Sequence, residues 1–318
     1  MIRLIALCVL CFAQPTLAQQ YPSKPVRLVV PWPAGGVTDL AGRAMAQQLA
    51  ERLSTPVVVE NKAGAAGTIG ASSVALAPAD GYTLLLASSE THAIAPSLRK
   101  ELAYDPRKNF VAVARFAINP FSVAARPDFP AASMKEVVAL VRLQPGKFTY
   151  SSAGLGSASQ IAMETLKSIG QLDIVHVPFQ GQAPALTSLL GGQTDFQVLP
   201  AGSATPLKKS GKIKVYAVTT QERFFDMPEV PALREEGFEM NFANWFGLVA
   251  PAGTPVPVVQ RLAEATAAAL KSAETQASLR KLGLDAYPSG SPAEFQKFID
   301  SEVGRWGALI RGANLKPE

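Results

Sequence analysis

Val26-Arg-Leu-Val-Val-Pro-Trp-Pro-Ala-Gly-Gly-Val-Thr-Asp39 decides the fold. Its first five residues are an apolar run of strand length. The next six hold two prolines and two glycines, which no regular element tolerates together. A helical pattern follows from Thr38 to Leu53, with Leu40, Ala41, Ala44, Met45 and Leu49 on one face. Strand, Gly-rich turn and helix in that order are the opening of an α/β unit. The pattern continues with a strand at Val57 to Val59, a helix from Thr68 to Ala77 and a strand from Tyr82 to Ala87. The strands are apolar runs, as expected of parallel strands covered on both faces.

The same series restarts near residue 148. Strands at Phe148 to Ser152, Ile174 to Val177 and Phe196 to Leu199 alternate with helices at Ser157 to Ile169 and Ala183 to Leu190. The turns fall in step as well: Ala34-Gly35-Gly36 corresponds to Ala153-Gly154-Leu155-Gly156, and Lys62 to Gly67 corresponds to Gln180 to Ala183. The spacing predicts two lobes of similar architecture. Val111 to Ile118 and Phe121 to Arg126 read as strands joined through Asn119-Pro120, and Phe242 to Ala250 reads as a returning strand. A last helix, Pro292 to Arg311, carries Phe295, Phe298, Ile299, Val303, Trp306 and Ile310 on one stripe and is expected to pack back on the first lobe. Lobe 1 is therefore expected to comprise residues 19–118 with 248–318, and lobe 2 residues 119–247.

Residues 1–18 read as an export signal. Arg3 is the positive end, Leu4 to Ala13 the apolar stretch, and Thr16-Leu17-Ala18 the small-residue cleavage site. Both cysteines, Cys8 and Cys11, lie within it, so the exported chain is expected to lack a thiol. Leu7 and Leu10 precede them where a lipid-attachment site needs a small residue. With 48% hydrophobic and 17% charged residues over 318 positions, the chain has the apolar content to form a core, which excludes a disordered protein. The formal charge of +5 is mild, and Lys208-Lys209 and Arg280-Lys281 are dispersed on helices. That pattern does not make a nucleic-acid surface.

In open α/β sheets, ligands lie beyond the carboxyl ends of the strands. That rule selects Trp32, Ala34, Gly35, Gly36, Val37, Thr38 and Asp39 in the first loop. Glycines let a ligand approach the backbone, and free N–H groups at a helix start face an anion. Thr38 and Asp39 are capping types, with Asp39 expected to fix the loop. Ser152, Gly154, Gly156 and Ser157 form the matching loop of the second lobe. Ser88, Ser89 and His92, Phe179 and Gln180, and Ala201 stand at the other strand ends. His176 reads as a core residue.

Walker A, G-x-S-x-G and H-E-x-x-H motifs do not occur in the sequence. With two histidines, a zinc site is not expected, nor any other metal or cofactor. Ser157 with His92 is a Ser–His pair that a secreted hydrolase could use, and a serine between Ser151 and Ser159 is the nucleophile such a reading requires.

Several stretches in order carry a resemblance: Tyr21-Pro-Ser-Lys-Pro-Val-Arg27, the loop Pro31 to Asp39, Glu60 to Gly67, Ala79 to Leu84, Val175 to Pro178, Leu190 to Gln193, Trp245 to Gly247 and Ala250 to Pro255. The chain resembles the extracytoplasmic receptors of tripartite tricarboxylate transporters, the Bug-type receptors. The resemblance implies a type II periplasmic-binding-protein fold, two α/β lobes joined by two crossovers with a ligand cleft between them. It implies a periplasmic, monomeric, non-enzymatic receptor that passes a small organic carboxylate to integral membrane transporter subunits, or alternatively to a sensor protein. It also places a carboxylate on the amides of Trp32 to Thr38. Gln160 stands where many relatives have histidine, and Phe179-Gln180 where many have Tyr-Lys. A ligand less anionic at its far end is expected from these departures.

Overall fold

A computed structural model describes residues 21–287 and 290–312. The export signal expected at residues 1–18 lies outside the described residues. The first half opens as the sequence dictates: strand β1 (Val26–Val30), helix α1 (Val37–Leu53), strand β2 (Val57–Asn61), helix α2 (Thr68–Ala75) and strand β3 (Thr83–Ser88). A wide helical turn, Glu90–Ile94, runs into the short helix α3 (Ala95–Leu98). The long strand β4 (Phe110–Ala125) carries the chain into the second half.

There follow α4 (Met134–Leu143), β5 (Phe148–Ser152), α5 (Ala158–Gly170), β6 (Ile174–Pro178), α6 (Gln182–Leu190), β7 (Phe196–Pro200), α7 (Ala201–Lys209) and β8 (Lys214–Val218). Strand β9 (Ala243–Pro251) returns the chain, and α8 (Val256–Leu270), α9 (Ala273–Lys281), β10 (Asp285–Ala286) and α10 (Pro292–Gly312) complete it.

The sheet is mixed. In the first half β2, β1 and β3 are parallel neighbours, β9 lies antiparallel beside β3, and β4 antiparallel beside β9. In the second half β6, β5 and β7 are parallel, β4 lies antiparallel beside β7, and β8 antiparallel beside β4. The two halves thus have one strand order, and β4 serves both.

Pro120 does not break β4 in two, as the sequence suggested. Its register partner is Ala243 on β9, and pairing with β7 begins at the next residue, Phe121↔Pro200. Proline lacks a donor, so it is tolerated where a strand changes neighbours.

Apolar side chains pack on both faces of each half. Leu28, Met45, Leu49, Phe116, Phe246 and Leu262 fill one face of the first half under α1 and α8. Val29, Val74, Trp245, Phe295 and Ile299 fill the other. Helix α10 is divided between the halves. Phe295 and Ile299 join the first-half core, whereas Trp306 and Ile310 join Tyr150, Ile161, Phe196 and Phe242 in the second. A helix of 21 residues is roughly 30 Å long, enough to reach both.

The halves also meet backbone to backbone, at Gly202 and Gly283. A Cβ on Gly202, in α7, would lie 2.3 Å from the Gly283 Cα in the turn before β10. Only glycine at both positions allows that approach.

Candidate ligand-binding site

The first loop is built around Asp39. Its carboxylate is buried and accepts hydrogen bonds from the Gly35 N–H (2.9 Å), Arg43 Nε (3.0 Å) and Asn61 Nδ2 (2.8 Å). Asn61 also donates to the Trp32 carbonyl at 3.0 Å. Asp39 therefore holds both arms of the turn, with its carboxylate committed to the protein. Gly35 has φ +86°, which disfavours any residue with a Cβ. Burial pushes the Asp39 pKa up, but the bonds from Arg43, Gly35 and Asn61 outweigh it and hold the carboxyl below its usual value of 3.8.

A carboxyl with a lowered folded-state pKa contributes stability above its unfolded pKa and loses it as pH falls through the folded value. The cost of Asp39→Ala in urea unfolding should accordingly be roughly 2 kcal/mol near neutrality. It should shrink as the pH is taken below 3.8. A cost that stays constant with pH would contradict the role given to this carboxylate.

The cap of α1 is Gly36, two residues before Thr38 and three before Asp39, the capping types in the sequence. It has no side chain to offer, and no side chain caps the helix. The first N–H groups of α1 have no intrahelical acceptor by construction. Ala34, Gly35 and Gly36 are exposed, Trp32, Val37 and Thr38 half-buried. A Cβ on Gly35 would meet nothing within 4 Å, and one on Gly36 only the Pro33 carbonyl at 3.8 Å. The space in front of this helix end is open.

The second loop is closed upon itself. Ser157 caps α5, accepting from the Gln160 N–H at 3.3 Å and donating to the Gly154 carbonyl at 2.7 Å. The Gly156 N–H donates to Gln160 Oε1 (2.7 Å), the Ala153 N–H to Ser159 Oγ (3.1 Å) and the Gly154 N–H to Ser152 Oγ (3.2 Å). Phe179 is half-buried and Gln180 exposed in the adjoining turn, where the Phe179 N–H donates to the Ser152 carbonyl.

His176 is a finding the sequence did not offer. Its Nε2 lies 2.7 Å from Ser152 Oγ, its Nδ1 3.4 Å from Gln160 Nε2, and its ring stacks on Tyr150. It is half-buried beside the second loop and is not a core residue. Burial lowers its pKa.

His92 goes the other way. It is fully buried among Tyr104, Phe110 and Trp245, with its Nδ1 3.0 Å from Thr91 Oγ1 and its Nε2 unpartnered among the described residues. Burial pushes its pKa down to about 3, so the ring is neutral. Ala201, read as part of a strand-end loop, is the buried first residue of α7.

Between the two loops lies the segment Ser88–His92. Thr91 reaches toward the first loop, since a Cβ on Gly67 would lie 2.9 Å from Thr91 Cγ2 and 3.4 Å from Pro31 Cβ. Ser89 donates through its N–H to Asn244 Oδ1 at 3.0 Å, and its hydroxyl bonds the same oxygen. Ser88 Oγ makes no hydrogen bond of good geometry, although it lies near Glu90.

Glu90, inside the strand-end stretch Ser88 to His92 but not among the expected ligand contacts, is buried and accepts from Asn244 Nδ2 at 3.0 and 2.8 Å. The backbone N–H of Ala158, first residue of α5, also favours its charged form. Burial nonetheless dominates and raises its pKa.

Among the described residues no group of three His, Cys, Asp or Glu is placed to hold a metal ion. None of the described helices is long and apolar enough to cross a membrane.

The pattern of the tripartite tricarboxylate transporter family receptors matches residues 41–315. The chain belongs to this receptor family. The receptor is similar to several solved proteins. One is R. palustris Rpa4515, solved with adipate: 32% identical, TM-score 0.87, covering 94% of this chain and 100% of that one. Another is the periplasmic binding protein BugD: 35% identical, TM-score 0.85, covering 94% and 100%. A third is MatC from Rhodopseudomonas palustris, solved with malate: 34% identical, TM-score 0.82, covering 91% and 100%. The receptor therefore has the α/β architecture of periplasmic binding proteins, and its function is to bind a solute.

Proposed function

We propose that the receptor captures a small organic carboxylate between its two halves, seating the carboxylate on the N–H groups of Gly36, Val37 and Thr38. The observation that carries this reading is the uncapped N-terminus of α1, with its two exposed glycines in front. A helix end alone contributes roughly 0.3–2 kcal/mol toward an anion. Each charge-assisted hydrogen bond adds roughly 1.5–3 kcal/mol. Three convergent amides can thus hold a carboxylate without an arginine or lysine. Trp32 forms a wall of the seat, and Ser152, Gly154, Gly156, Ser157, Phe179 and Gln180 face the remainder of the ligand. Relatives solved with adipate and with malate support the chemical class.

In this reading residues 19–118 and 248–318 form one lobe and 119–247 the other. Ligand stabilises the closed arrangement over the open one because each lobe supplies part of the contacts. The protein works in the periplasm as a monomer after loss of its leader and delivers its ligand to membrane subunits.

No bond is made or broken in the ligand. The Ser152–His176 pair has the distance of a nucleophile and base, but His176 Nδ1 lies 3.4 Å from the Gln160 amide nitrogen, not beside the carboxylate that completes a Ser-His-Asp triad.

A thermal-shift panel of organic acids tests the reading. A true ligand at 100 times its dissociation constant should add about 2.7 kcal/mol to stability. The bound acid should be recovered chemically unchanged. A panel of mono-, di- and tricarboxylates without a stabilising member would contradict the proposal. So would turnover that is lost in Ser152→Ala.

A further inference from the structure

His176 ties the second loop to the strand beside it. Its strand, β6, pairs with β5 so that His176 lies next to Tyr150, and the two rings stack with centroids 4.6 Å apart. Its Nε2 reaches Ser152 Oγ, and its Nδ1 faces Gln160 Nε2.

Donor and acceptor chemistry fixes the form of the ring. The Gly156 N–H can only donate, and it points at Gln160 Oε1 at 2.7 Å. The oxygen of that amide is committed to Gly156, so its NH2 group is the part turned to His176 Nδ1, at 3.4 Å. A ring nitrogen that faces a donor is the bare one. The ring proton therefore sits on Nε2 and is donated to Ser152 Oγ at 2.7 Å. Ser152 Oγ accepts the Gly154 N–H as well, at 3.2 Å. One neutral imidazole thus anchors both loop glycines, Gly154 through Ser152 and Gly156 through Gln160. The opposite tautomer would set two donors against each other at Nδ1. So would the imidazolium, which donates from both nitrogens.

We infer that His176 is a positioning residue for ligand binding: as the neutral Nε2–H tautomer it holds the second loop in its binding shape, and protonation of the ring undoes that shape and weakens binding. The inference rests on the carboxylate-binding reading and adds an acid-sensitive element to the same site. Relieving the clash of donors requires the Gln160 amide to turn over. That sets its NH2 group against the Gly156 N–H and breaks the bond between them. Two charged side chains of α5 act on the ring, Glu164 and Lys167; they pair with each other at 2.9 Å and pull in opposite senses. From β5 the ring meets Tyr150, whose hydroxyl donates to Glu164, and Ser152. Burial disfavours the charged ring, so the loop is intact at neutral pH and is lost only as the pH falls through a pKa below the ordinary 6.5. The same tautomer leaves Nε2 without a lone pair for the Ser152 proton, so the two do not act as nucleophile and base.

Nitrogen NMR of the full receptor reads the ring directly. The sequence has two histidines, His92 and His176, so the spectrum of His176→Gln assigns both. At neutral pH the shifts should show a proton on Nε2 of His176 and none on Nδ1. A proton on Nδ1, or a charged ring, overturns the inference whether or not a ligand is known. Binding supplies the second readout. The tightest acid of the thermal-shift panel is titrated calorimetrically into wild type, His176→Gln and His176→Phe, from neutral pH to about pH 4.5. His176→Phe keeps a ring on Tyr150 without either hydrogen bond and should lose roughly tenfold or more in affinity at neutral pH. Its Gly156 amide should exchange with solvent faster than in wild type. His176→Gln keeps a donor for Ser152 with no charge to gain, and should bind within about threefold of wild type there. Toward acid, wild-type affinity should fall below that of His176→Gln by roughly tenfold. The ligand's own carboxyl titrates alike in both, so the difference belongs to the imidazole. Superposed pH profiles overturn the inference, as does undiminished binding in His176→Phe. If His176→Phe does not fold, the tautomer and the comparison with His176→Gln decide. Absence of binding across the whole panel is a different outcome, which overturns the carboxylate reading and this inference with it.

Discussion

Gly36→Asp should abolish carboxylate binding while leaving the receptor folded and no less stable. Gly36 has φ −78° and ψ 166°, a conformation open to any residue, and a Cβ there would meet only the Pro33 carbonyl at 3.8 Å. An aspartate at the cap position accepts from the first-turn N–H groups of α1, as capping aspartates do, and exceeds glycine there by a few tenths of a kcal/mol. The new carboxylate then occupies the seat proposed for the ligand. Loss of two charge-assisted hydrogen bonds removes about 3 kcal/mol or more, on the order of a hundredfold in affinity before like-charge repulsion is added. Gly36→Ala separates bulk from charge, since it should retain most of the affinity. Calorimetric titration of both variants, paired with their melting temperatures, checks the prediction. Undiminished binding in Gly36→Asp would remove the first loop from the site.

Trp306→Ala should destabilise the receptor more than any substitution in the loops. The indole is fully buried in the second-half core, stacked edge-on against Phe242 at 4.6 Å between ring centroids. Its Nε1 donates to Glu302 Oε2 at 2.8 Å, and the same oxygen accepts from Trp245 Nε1 at 3.1 Å. Trp306 thereby ties α10 to β9 and to the second half while Phe295 and Ile299 anchor the helix to the first. Truncating a buried tryptophan costs roughly 3–5 kcal/mol. Leaving the buried Glu302 carboxylate short of a donor adds to that. A melting temperature lowered by on the order of 10 °C is expected from calorimetry. A shift of one or two degrees would show that α10 is not the strap between the halves.

What could be read from the sequence follows from how local each cause is. The strand–turn–helix at residues 26–53 is legible because strand apolarity, glycine torsions and helix periodicity are all set by neighbours in the chain. Asp39 is legible for the same reason: its partner Gly35 is four residues away.

His176 is not legible. Its strand is apolar, so it reads as core, but β6 is the last strand on its side of the sheet and Val175 is exposed. Edge position is a property of the assembled sheet. The burial of Glu90 is not legible either, because Asn244, which bonds its carboxylate, arrives from 154 positions along the chain. The stripe on α10 reveals an amphipathic helix. It does not reveal that the two ends of the stripe meet different cores. Pro120 reads as a break, whereas the exchange of β-partners around it removes the need for its missing donor.

The most direct measurement is a crystal structure of the receptor with the tightest acid from the thermal-shift panel. The account predicts one carboxylate of that acid within hydrogen-bonding distance of the Gly36, Val37 and Thr38 N–H groups, with Asp39 still bonded to Gly35. An acid bound away from the α1 terminus, or one whose carboxylate is held by lysine or arginine side chains while those amides stay unoccupied, would contradict it.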